Sequence, residues 1–394
     1  ERYVNNVKEG SHSDWSDTDV RYSPHEGIEQ FPVPVFGIKP DEATVLFANP
    51  DSRLTRDVLS KDVVKFFVHP DIASDLAYLE AVGITPESQL DEIYMVTPTS
   101  STRTLLTQGR EFEFMVKTDL DKRHYRFIRR LKGSSVDHSI RISQELERIT
   151  SIDSFPEYAF LPESLGVVVG DKNEGAGVLF REVIPRPIVP ENRVLIPYFS
   201  LYATDLKSPD DLPILIQLVQ KNASQGKELE FFTNEVIGKI VRTWTHFATE
   251  YGLLLELHGQ NTLLEVDEQL RPQRMIHRDF QSIYIDKEVR ETKGLSLPVV
   301  KHVVGEEQGT TKPTQYSIAY DHQVGDFLFD RLSNTFRTYY SQYSYDDVAK
   351  RVREMFRSGF GNPRQVFPRE TYTYGKQEGN EVNLIQKHTE AIYR

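Results

Sequence analysis

Residues 253–280 read LLLELHGQNTLLEVDEQLRPQRMIHRDF, a stretch with apolar runs that also carries His258, Asn261, Arg278 and Asp279. The segments TLLEVD and QRMIHRDF predict two strands joined by the polar turn 268–272. His258 and Asn261 then precede one strand and Asp279 ends the next, so the three side chains could converge at one end of a sheet. Three roles are open to them: a nucleotide and metal site, a satisfied hydrogen-bond network in the core, or a solvated turn.

The composition excludes several classes of function. The chain has 394 residues with 47 basic and 59 acidic side chains, a net charge of -12, which argues against a nucleic-acid backbone or an anionic membrane as the main partner. The absence of cysteine excludes disulfides, thiolate metal sites and thioester chemistry. Since no apolar run reaches the roughly 18–20 residues of a membrane helix, we expect a cytoplasmic protein. The chain begins with Glu, so we treat its start as that of a fragment.

The pattern of strands and helices predicts an α+β protein in three parts, 1–150, 151–286 and 287–394. The first part has strands at PVPVFGIKP, ATVLFANP, IYMVTPT and FEFMVKTDL, and a mainly helical stretch from YRFIRRLKGSS onward. The second has the hairpin GVVVGDKNEGAGVLFREVIP and a long amphipathic helix in ELEFFTNEVIGKIVRTWTHFATEYG. The third follows a polar linker near 287–314 with solvated charges at 306–307, and is predicted to be helical, with Ser344 capping SYDDVAKRVREMF.

A hydroxyl-rich segment, TPTSSTRTLLT at 97–107, follows the predicted strand IYMV. Hydroxyls and backbone amides in a turn can cradle phosphate oxygens, and Arg103 adds a charge-assisted contact. Clusters of Ser and Thr are more often plain loops, so the prediction of a phosphate-binding turn depends on basic residues downstream. Those residues are Lys117 on a predicted strand and Arg126, Arg129 and Arg130 near the start of the following helix. The three arginines also fit a solvated helix face.

The opening stretch adds side chains of the types that hold a divalent cation. An Asn on a loop and an Asp at the end of the next strand suit Mg²⁺, which prefers carboxylate, amide and phosphate oxygens. Protein kinases and related phosphotransferases use that layout. His258 lies three residues before Asn261 and could contact a carboxylate or a phosphate. Beside the apolar run 253–257, a histidine buried in the core is the competing interpretation.

Together, E-x-H-G-Q-N-T-L-L followed by R-D-F, with S-S-T-R-T upstream, resembles the NRPS-independent siderophore synthetases, the aerobactin-synthetase family typified by the IucA and IucC proteins. The resemblance covers residues from about 20 to 385 and implies a cupped, hand-like fold of thumb, fingers and palm. Such enzymes activate a carboxylate of citrate or a citrate derivative at the α-phosphate of ATP, and an amine then displaces AMP. The resemblance therefore implies ATP and Mg²⁺ as cofactors, small carboxylate and amine substrates, and a homodimer.

The resemblance also implies roles for individual residues. Ser101, Arg103 and Thr104 match the phosphate-binding turn, to which Ser100 and Thr102 belong, and Lys117 matches the basic strand position. Arg129 matches the carboxylate-clamping arginine, although Arg126 and Arg130 are close enough to replace it. His258 corresponds to the histidine near the reacting phosphate, with Gln260 beside it as a nucleotide contact. The implied metal ligands are Asn261, Asp279 and Glu256, and the strand GVLFRE adds Arg181 and Glu182 as further candidates.

One departure from the family and two other functions stay open. The segment GSHSDWSDTDV stands where the family carries a His-Pro-rich motif, although Tyr22 to Glu26 matches the segment that follows it. A kinase-like phosphotransferase would use Asn261 and Asp279 equally well, but Gln260 occupies the place of the kinase catalytic Asp, and a Gly-rich nucleotide loop is missing. A non-catalytic siderophore-binding protein is the other alternative. An iron-sulfur reductase would require cysteine ligands.

Overall fold

The computed structural model describes residue 22 and residues 29–101, 103–109, 111–124, 127–205, 208–307, 309–378 and 381–394. The strands are β1 Phe31–Val33, β2 Val35–Ile38, β3 Ala43–Phe47, β4 Val64–Phe67, β5 Tyr94–Pro98, β6 Thr104–Thr107, β7 Phe114–Thr118, β8 Arg123–His124, β9 Phe127–Ile128, β10 Tyr158–Phe160, β11 Glu163–Val169, β12 Ala176–Glu182, β13 Val194–Pro197, β14 Leu253–Leu254, β15 Thr262–Val266, β16 Pro272–His277, β17 Tyr284–Ile285, β18 Glu370–Glu378 and β19 Glu381–Glu390.

The helices lie mostly in the second half of the chain. They are α1 Arg53–Val58, α2 Leu76–Ala81, α3 Gly133–Ile152, α4 Tyr198–Leu201, α5 Ile214–Asn222, α6 Glu228–Phe231, α7 Gly238–Glu250, α8 Lys287–Thr292, α9 Lys312–Ser317, α10 Asp330–Tyr339 and α11 Tyr345–Phe360. Two π-helical segments, Phe232–Ile237 and Ile318–Phe329, run into α7 and α10, and short 3₁₀ turns cover Pro86–Ser88 and Pro363–Gln365. No helix of these residues is long and apolar enough to cross a membrane.

A seven-stranded sheet in the order β1-β5-β6-β7-β12-β11-β3 forms the first layer. All of its pairs are antiparallel, and the hydroxyl-rich segment is the turn of the β5–β6 hairpin. The predicted hairpin GVVVGDKNEGAGVLFREVIP is confirmed as β11 and β12. These two strands follow residue 150 and yet pair with strands that precede it. The predicted division into three parts stays a prediction.

A four-stranded sheet in the order β10-β16-β15-β13 carries the opening stretch. The two strands predicted there are confirmed as the antiparallel hairpin β15–β16, and β10 pairs with β16 in parallel. A small apolar cluster of Ala159, Leu161, Leu263 and Ile276, with Met115 of β7 packed against it, joins this sheet to the seven-stranded one. The predicted mixed α+β class is confirmed, and the two sheets meet where the hydroxyl-rich turn faces the β15–β16 hairpin.

The helical core forms around Trp244 of α7, which is fully buried. The face predicted for this helix is confirmed, since Ile237, Ile240, Val241 and Ala248 are also buried. Such a stripe at helical spacing stabilises a helix mainly through packing. The predicted cap of α11 is confirmed as well, because the Ser344 hydroxyl accepts from the Asp347 backbone N–H in a capping box.

Three expectations about the C-terminal part were wrong in detail. The stretch near 287–314 is no plain polar linker, because it contains α8, whose Arg290 is fully buried and donates to Glu145 Oε1 at 2.6 Å. Glu307 is held by the Tyr284 hydroxyl at 2.8 Å rather than simply solvated. The last residues form the β18–β19 hairpin and not a helix. Local polarity misled at Arg290 because its partner Glu145 lies 145 residues away in the sequence.

Candidate active site

A cavity of about 170 Å³ lies between the β5–β6 turn, β7 and the loops that flank the β15–β16 hairpin. The two sequence motifs therefore face each other across one small, polar space. Its walls are formed by Ser101, Arg103, Lys117, Arg129, Glu256, His258, Gln260, Asn261, Asp279, Gln281 and Ser282. Nine of these eleven were singled out as site residues from the sequence; the other two, Gln281 and Ser282, were not.

The hydroxyl-rich turn is held by its own side chains. The Thr99 hydroxyl donates to the Thr104 carbonyl at 2.7 Å and accepts from the Ser101 N–H at 3.3 Å. Arg103 is buried and donates through Nη1 to the Arg129 carbonyl at 2.8 Å. Ser101 and Arg103 consequently line the cavity, whereas Thr104 is a buried residue of β6 outside its lining. Thr102 lies outside the described residues.

The strongest electrostatic contact in the cavity joins Lys117 to Asp279. Lys117 Nζ lies 2.7 and 2.6 Å from the two carboxylate oxygens of Asp279, which is 162 residues further along the chain. Asp279 has φ of 72°, in the left-handed region that non-glycine residues seldom occupy. Backbone strain of this kind is concentrated at functional sites. The tight turn after β16 thus presents the carboxylate to the cavity.

The two partners respond to burial in opposite ways. Burial lowers the pKa of the Lys117 ammonium to about 8, although Asp279 acts to raise it. Burial alone would raise the pKa of Asp279, but Lys117 and Arg181 outweigh it and hold that pKa well below its usual range. At neutral pH the pair is therefore an ammonium and a carboxylate, and neither charge is solvated as it would be in water.

His258 and Asn261 are fixed by a short loop before β15. The His258 carbonyl accepts from the Asn261 N–H at 2.9 Å, and its ring Nδ1 accepts from the Gln260 N–H at 3.2 Å. The ring proton must then sit on Nε2, which lies 3.8 Å from a Glu256 oxygen. Asn261 donates its amide to Glu256 at 3.1 Å. A donor on His258 and oxygens on Asn261 and Glu256 are thereby gathered at one side of the cavity.

The two histidines of this stretch are buried in different surroundings. His277 on β16 is fully buried, and burial lowers its pKa to about 3 and keeps the ring neutral. His258 is 4% exposed and lines the cavity beside the candidate metal ligands. Its position agrees with both interpretations made from the sequence, a buried histidine and a histidine of the site.

The candidate arginines fall into separate environments. Arg129 lines the cavity, while Arg130 is committed to Asp119 at 3.0 Å and Asp121 at 3.5 Å. Arg130 therefore cannot replace Arg129 without breaking those pairs. Arg126 lies outside the described residues.

Arg181 and Glu182 are neighbours on β12 with different surroundings. Arg181 pairs with buried Glu163 on the adjacent strand and contributes positive charge near Asp279. Glu182 accepts from the Ser52 hydroxyl at 2.8 Å and the Ser164 hydroxyl at 2.6 Å. Successive residues of a strand point to opposite faces, and only Arg181 acts on the charges of the cavity.

Gln281 and Ser282 were missed by the sequence analysis. Both follow Asp279 on the same loop, and Gln281 Oε1 accepts from Arg103 Nη2 at 3.2 Å. Fully buried Phe280 anchors the loop between them and Asp279. The available signal was their position directly after R-D-F, which alone does not say that the loop turns back toward Arg103.

The donor set for a cation is small. Among the described residues no three His, Cys, Asp or Glu side chains are grouped closely enough to hold a metal ion by themselves. Glu256, Asn261 and Asp279 nonetheless line the same cavity. One or two carboxylates and an amide fit Mg²⁺, which usually completes its octahedron with water and phosphate oxygens.

Comparison with known proteins agrees with this architecture. Residues 13–203 match the IucA / IucC family, and residues 230–325 match the family described as ferric iron reductase FhuF-like transporter. The citryl-spermidine/3,4-dihydroxybenzoyl-citryl-spermidine:spermidine ligase of Bacillus anthracis is 29% identical over 188 residues, which are 46% of this chain and 29% of that protein. The aligned stretch is thus less than a third of the curated relative.

Two solved structures share the fold. The petrobactin biosynthesis protein AsbB of Bacillus anthracis superposes with a TM-score of 0.70 at 19% identity, covering 95% of this chain and 70% of that one. ATP-bound aerobactin synthetase IucA of Klebsiella pneumoniae gives 0.65 at 16% identity, covering 88% and 66%. The resemblance seen in the motifs is confirmed: residues 13–203 match the IucA / IucC family, and the chain shares the fold of these two solved structures.

Proposed function

We propose that the protein is an ATP-dependent carboxylate-amine ligase that adenylates a carboxylate of citrate or a citrate derivative and condenses it with an amine. The observation that carries this proposal is the cavity itself, in which Arg103, Lys117 and Arg129 face His258, Asn261 and Asp279. The curated relative is a citryl-spermidine ligase and one structural relative binds ATP. The first supports a ligase that acts on a citrate-type acid, and the second supports ATP as the nucleotide.

Charge explains why such a site needs several cations. Citrate carries about three negative charges at neutral pH and ATP about four, so their approach is opposed by repulsion that grows in a low-dielectric site. Arg103, Lys117 and Arg129 place three cations around a cavity that has two carboxylates, Glu256 and Asp279. The excess positive charge favours an anion within a chain whose net charge is -12.

The reaction follows from positioning and charge stabilisation. A carboxylate oxygen of the acid attacks the α-phosphorus of ATP and pyrophosphate leaves. The amine nitrogen then attacks the acyl carbon, AMP leaves and the amine loses one proton. Arg103 and Lys117 hold phosphate oxygens, Arg129 holds the carboxylate, and the His258 Nε2 proton stabilises charge that develops at the α-phosphate. No nucleophilic side chain is required.

Glu256, Asn261 and Asp279 would hold Mg²⁺. When bound, the ion neutralises phosphate charge and orients the oxygens of the nucleotide. Lys117 would then exchange its contacts with Asp279 for contacts with phosphate, and Asp279 would remain paired with a cation.

The match of residues 230–325 to FhuF-like proteins favours one alternative function. It includes the segment that carries His258, Asn261 and Asp279, so a protein that binds a siderophore without activating it would use the same cavity. The chain has no cysteine to hold an iron-sulfur cluster. The alternative is therefore binding of a ferric siderophore rather than its reduction.

Nucleotide products discriminate these functions. Purified protein is incubated with Mg²⁺-ATP, citrate and a panel of diamines, with hydroxylamine as a generic trap for an activated carboxylate. We expect AMP and pyrophosphate that depend on citrate, and loss of both in Arg103→Ala and His258→Ala. Arg271→Ala is a matched surface control, since its side chain is 64% exposed at the far end of the β15–β16 hairpin.

Other products point to the other functions. ADP formation would indicate a phosphotransferase. Tight siderophore binding without turnover of ATP would indicate a binding protein, and either result would overturn the ligase.

A further inference from the structure

Arg278, a polar residue of the stretch 253–280, takes no direct part in the proposed chemistry, and its contacts indicate an indirect role. Its Nε donates to the Gln260 carbonyl at 3.0 Å and its Nη2 to the Ser100 hydroxyl at 3.2 Å. Its backbone N–H donates to the Asn261 carbonyl at 2.9 Å. One residue thus links the loop before β15 to the hydroxyl-rich turn, 178 residues away.

We propose that Arg278 is a positioning residue that holds the hydroxyl-rich turn in the geometry that binds the phosphates of the nucleotide. The proposal rests on the proposed function, because it assumes that this turn meets ATP. Arg278 itself is absent from the lining of the cavity, so it acts through the turn.

The environment of Arg278 differs from that of a structural arginine on the same hairpin. Arg274 of β16 is equally buried, and it donates to the two oxygens of Glu265 at 2.6 and 2.7 Å. In the described residues the side-chain hydrogen bonds of Arg278 go instead to a carbonyl and a hydroxyl. A buried cation is costly without a bonded anion, and burial lowers the pKa of Arg278 to about 10.

The hydrogen bonds that Ser100 accepts explain how Arg278 acts. The Ser100 carbonyl accepts from Gln260 Nε2 at 3.0 Å while its hydroxyl accepts from Arg278. Ser100 is therefore fixed from two sides, and the next residue, Ser101, forms part of the cavity wall. A displacement of about 1 Å in a positioned group can reduce a rate by roughly 10²-fold. Release of Ser100 would displace Ser101 and Arg103 together.

The test compares two conservative variants. Arg278→Lys and Arg274→Lys both keep a buried positive charge and both lose the forked geometry of the guanidinium. We measure the Kd of Mg²⁺-ATP by calorimetry. The Kd of adenosine, which lacks phosphates, is measured by its displacement of bound ATP. Arg278→Lys should weaken the binding of ATP roughly tenfold, as expected for loss of a charged hydrogen bond, and leave the binding of adenosine unchanged. Arg274→Lys should leave both unchanged.

A second variant covers the case in which Arg278→Lys does not fold. Ser100→Ala removes the hydroxyl and leaves the buried charge in place. Ser100→Ala should weaken the binding of ATP and not that of adenosine. The double variant should bind ATP no more weakly than Arg278→Lys does, because both changes break the same contact between Arg278 and Ser100. Multiplicative effects in the double variant, unchanged ATP binding in Ser100→Ala, or equal weakening of adenosine would overturn the positioning role.

Failure of the proposed function gives a different result. If the unmodified protein binds no ATP, the ligase proposal fails and the role of Arg278 fails with it. If the unmodified protein binds ATP and the variants bind it equally well, only the role of Arg278 fails.

Discussion

The two ends of the β15–β16 hairpin treat their charged side chains in opposite ways. At the turn end, Asp267 accepts from the Gln269 and Arg271 N–H groups at 3.0 and 2.9 Å and from Arg271 Nε at 2.7 Å. Asp267 also accepts from Gln273 Nε2 at 3.2 Å, and all of these partners lie within six residues. At the cavity end, Asp279 is bound by Lys117. Charged side chains that pair with nearby residues stabilise a turn. Charged side chains brought together from distant segments form a site whose cations can bind an incoming anion.

The middle of the hairpin should show the largest effect on stability. Arg274→Met leaves Glu265, which is 1% exposed, without its cation. Breaking a buried pair in this way costs about 3–5 kcal/mol in the free energy of unfolding, measured by urea denaturation. Formation of AMP per folded molecule should not change. Arg271→Met, on an exposed side chain, is the control, and an equal loss in both variants would contradict the distinction between buried and exposed pairs.

The cavity end should show the largest effect on catalysis. His258→Ala removes the Nε2 donor, and we expect kcat/KM for AMP formation to fall roughly 10²–10³-fold, or about 2.7–4 kcal/mol of transition-state stabilisation. His246→Ala serves as control because His246 lies on α7 and pairs with Asp153 at the end of α3, outside the lining of the cavity. Unchanged activity in His258→Ala would place His258 with the structural residues of the hairpin.

A substitution at each end should separate metal binding from turn stability. Asp279→Asn replaces a carboxylate with a weaker oxygen ligand for Mg²⁺, so the Mg²⁺ concentration for half-maximal rate should rise about tenfold, or about 1.4 kcal/mol. Calorimetric titration of Mg²⁺-ATP gives a second reading. Asp267→Asn should leave the Mg²⁺ dependence unchanged. An unchanged Mg²⁺ dependence in Asp279→Asn would show that Asp279 is not a metal ligand.

The turn end should respond to pH in a defined direction. Hydrogen bonds from the Arg271 backbone and side chain lower the pKa of Asp267, although burial opposes them. A lowered pKa of an acid stabilises the folded state above the unfolded pKa of about 3.9, and this stability is lost as the pH falls through the folded pKa. Asp267→Asn should therefore melt lower than the unmodified protein at pH 7, and the difference should shrink toward pH 3. A difference independent of pH would contradict the role of the ionised carboxylate.

Periodicity made a large part of the fold predictable. The short apolar run in TLLEV and the apolar stripe around Trp244 are local patterns, and the strand β15 and the helix α7 follow from them. The cap at Ser344 was equally local. Alternation along β12 could also have separated Arg181 from Glu182, since neighbouring residues of a strand face opposite sides.

Other features needed contacts that no local pattern carries. Arg290 lies in a stretch that is polar by composition, and it is buried only because Glu145 and two backbone carbonyls receive its guanidinium. Arg129 and Arg130 are adjacent residues of the same type, yet Arg130 pairs with Asp119 and Arg129 lines the cavity. Burial and pairing are tertiary quantities, and residue type alone does not decide them.

The sequence by itself indicated the resemblance to the IucA/IucC family, the two motif regions and most side chains around the cavity, because these depend on residue types at fixed spacing. The tertiary structure decided that Lys117 meets Asp279, that Gln281 turns back to Arg103, and that Arg278 is tied to Ser100. The physical reason is distance along the chain. These contacts join residues at least 162 positions apart, and only the packing of the two sheets fixes which of many polar groups become neighbours.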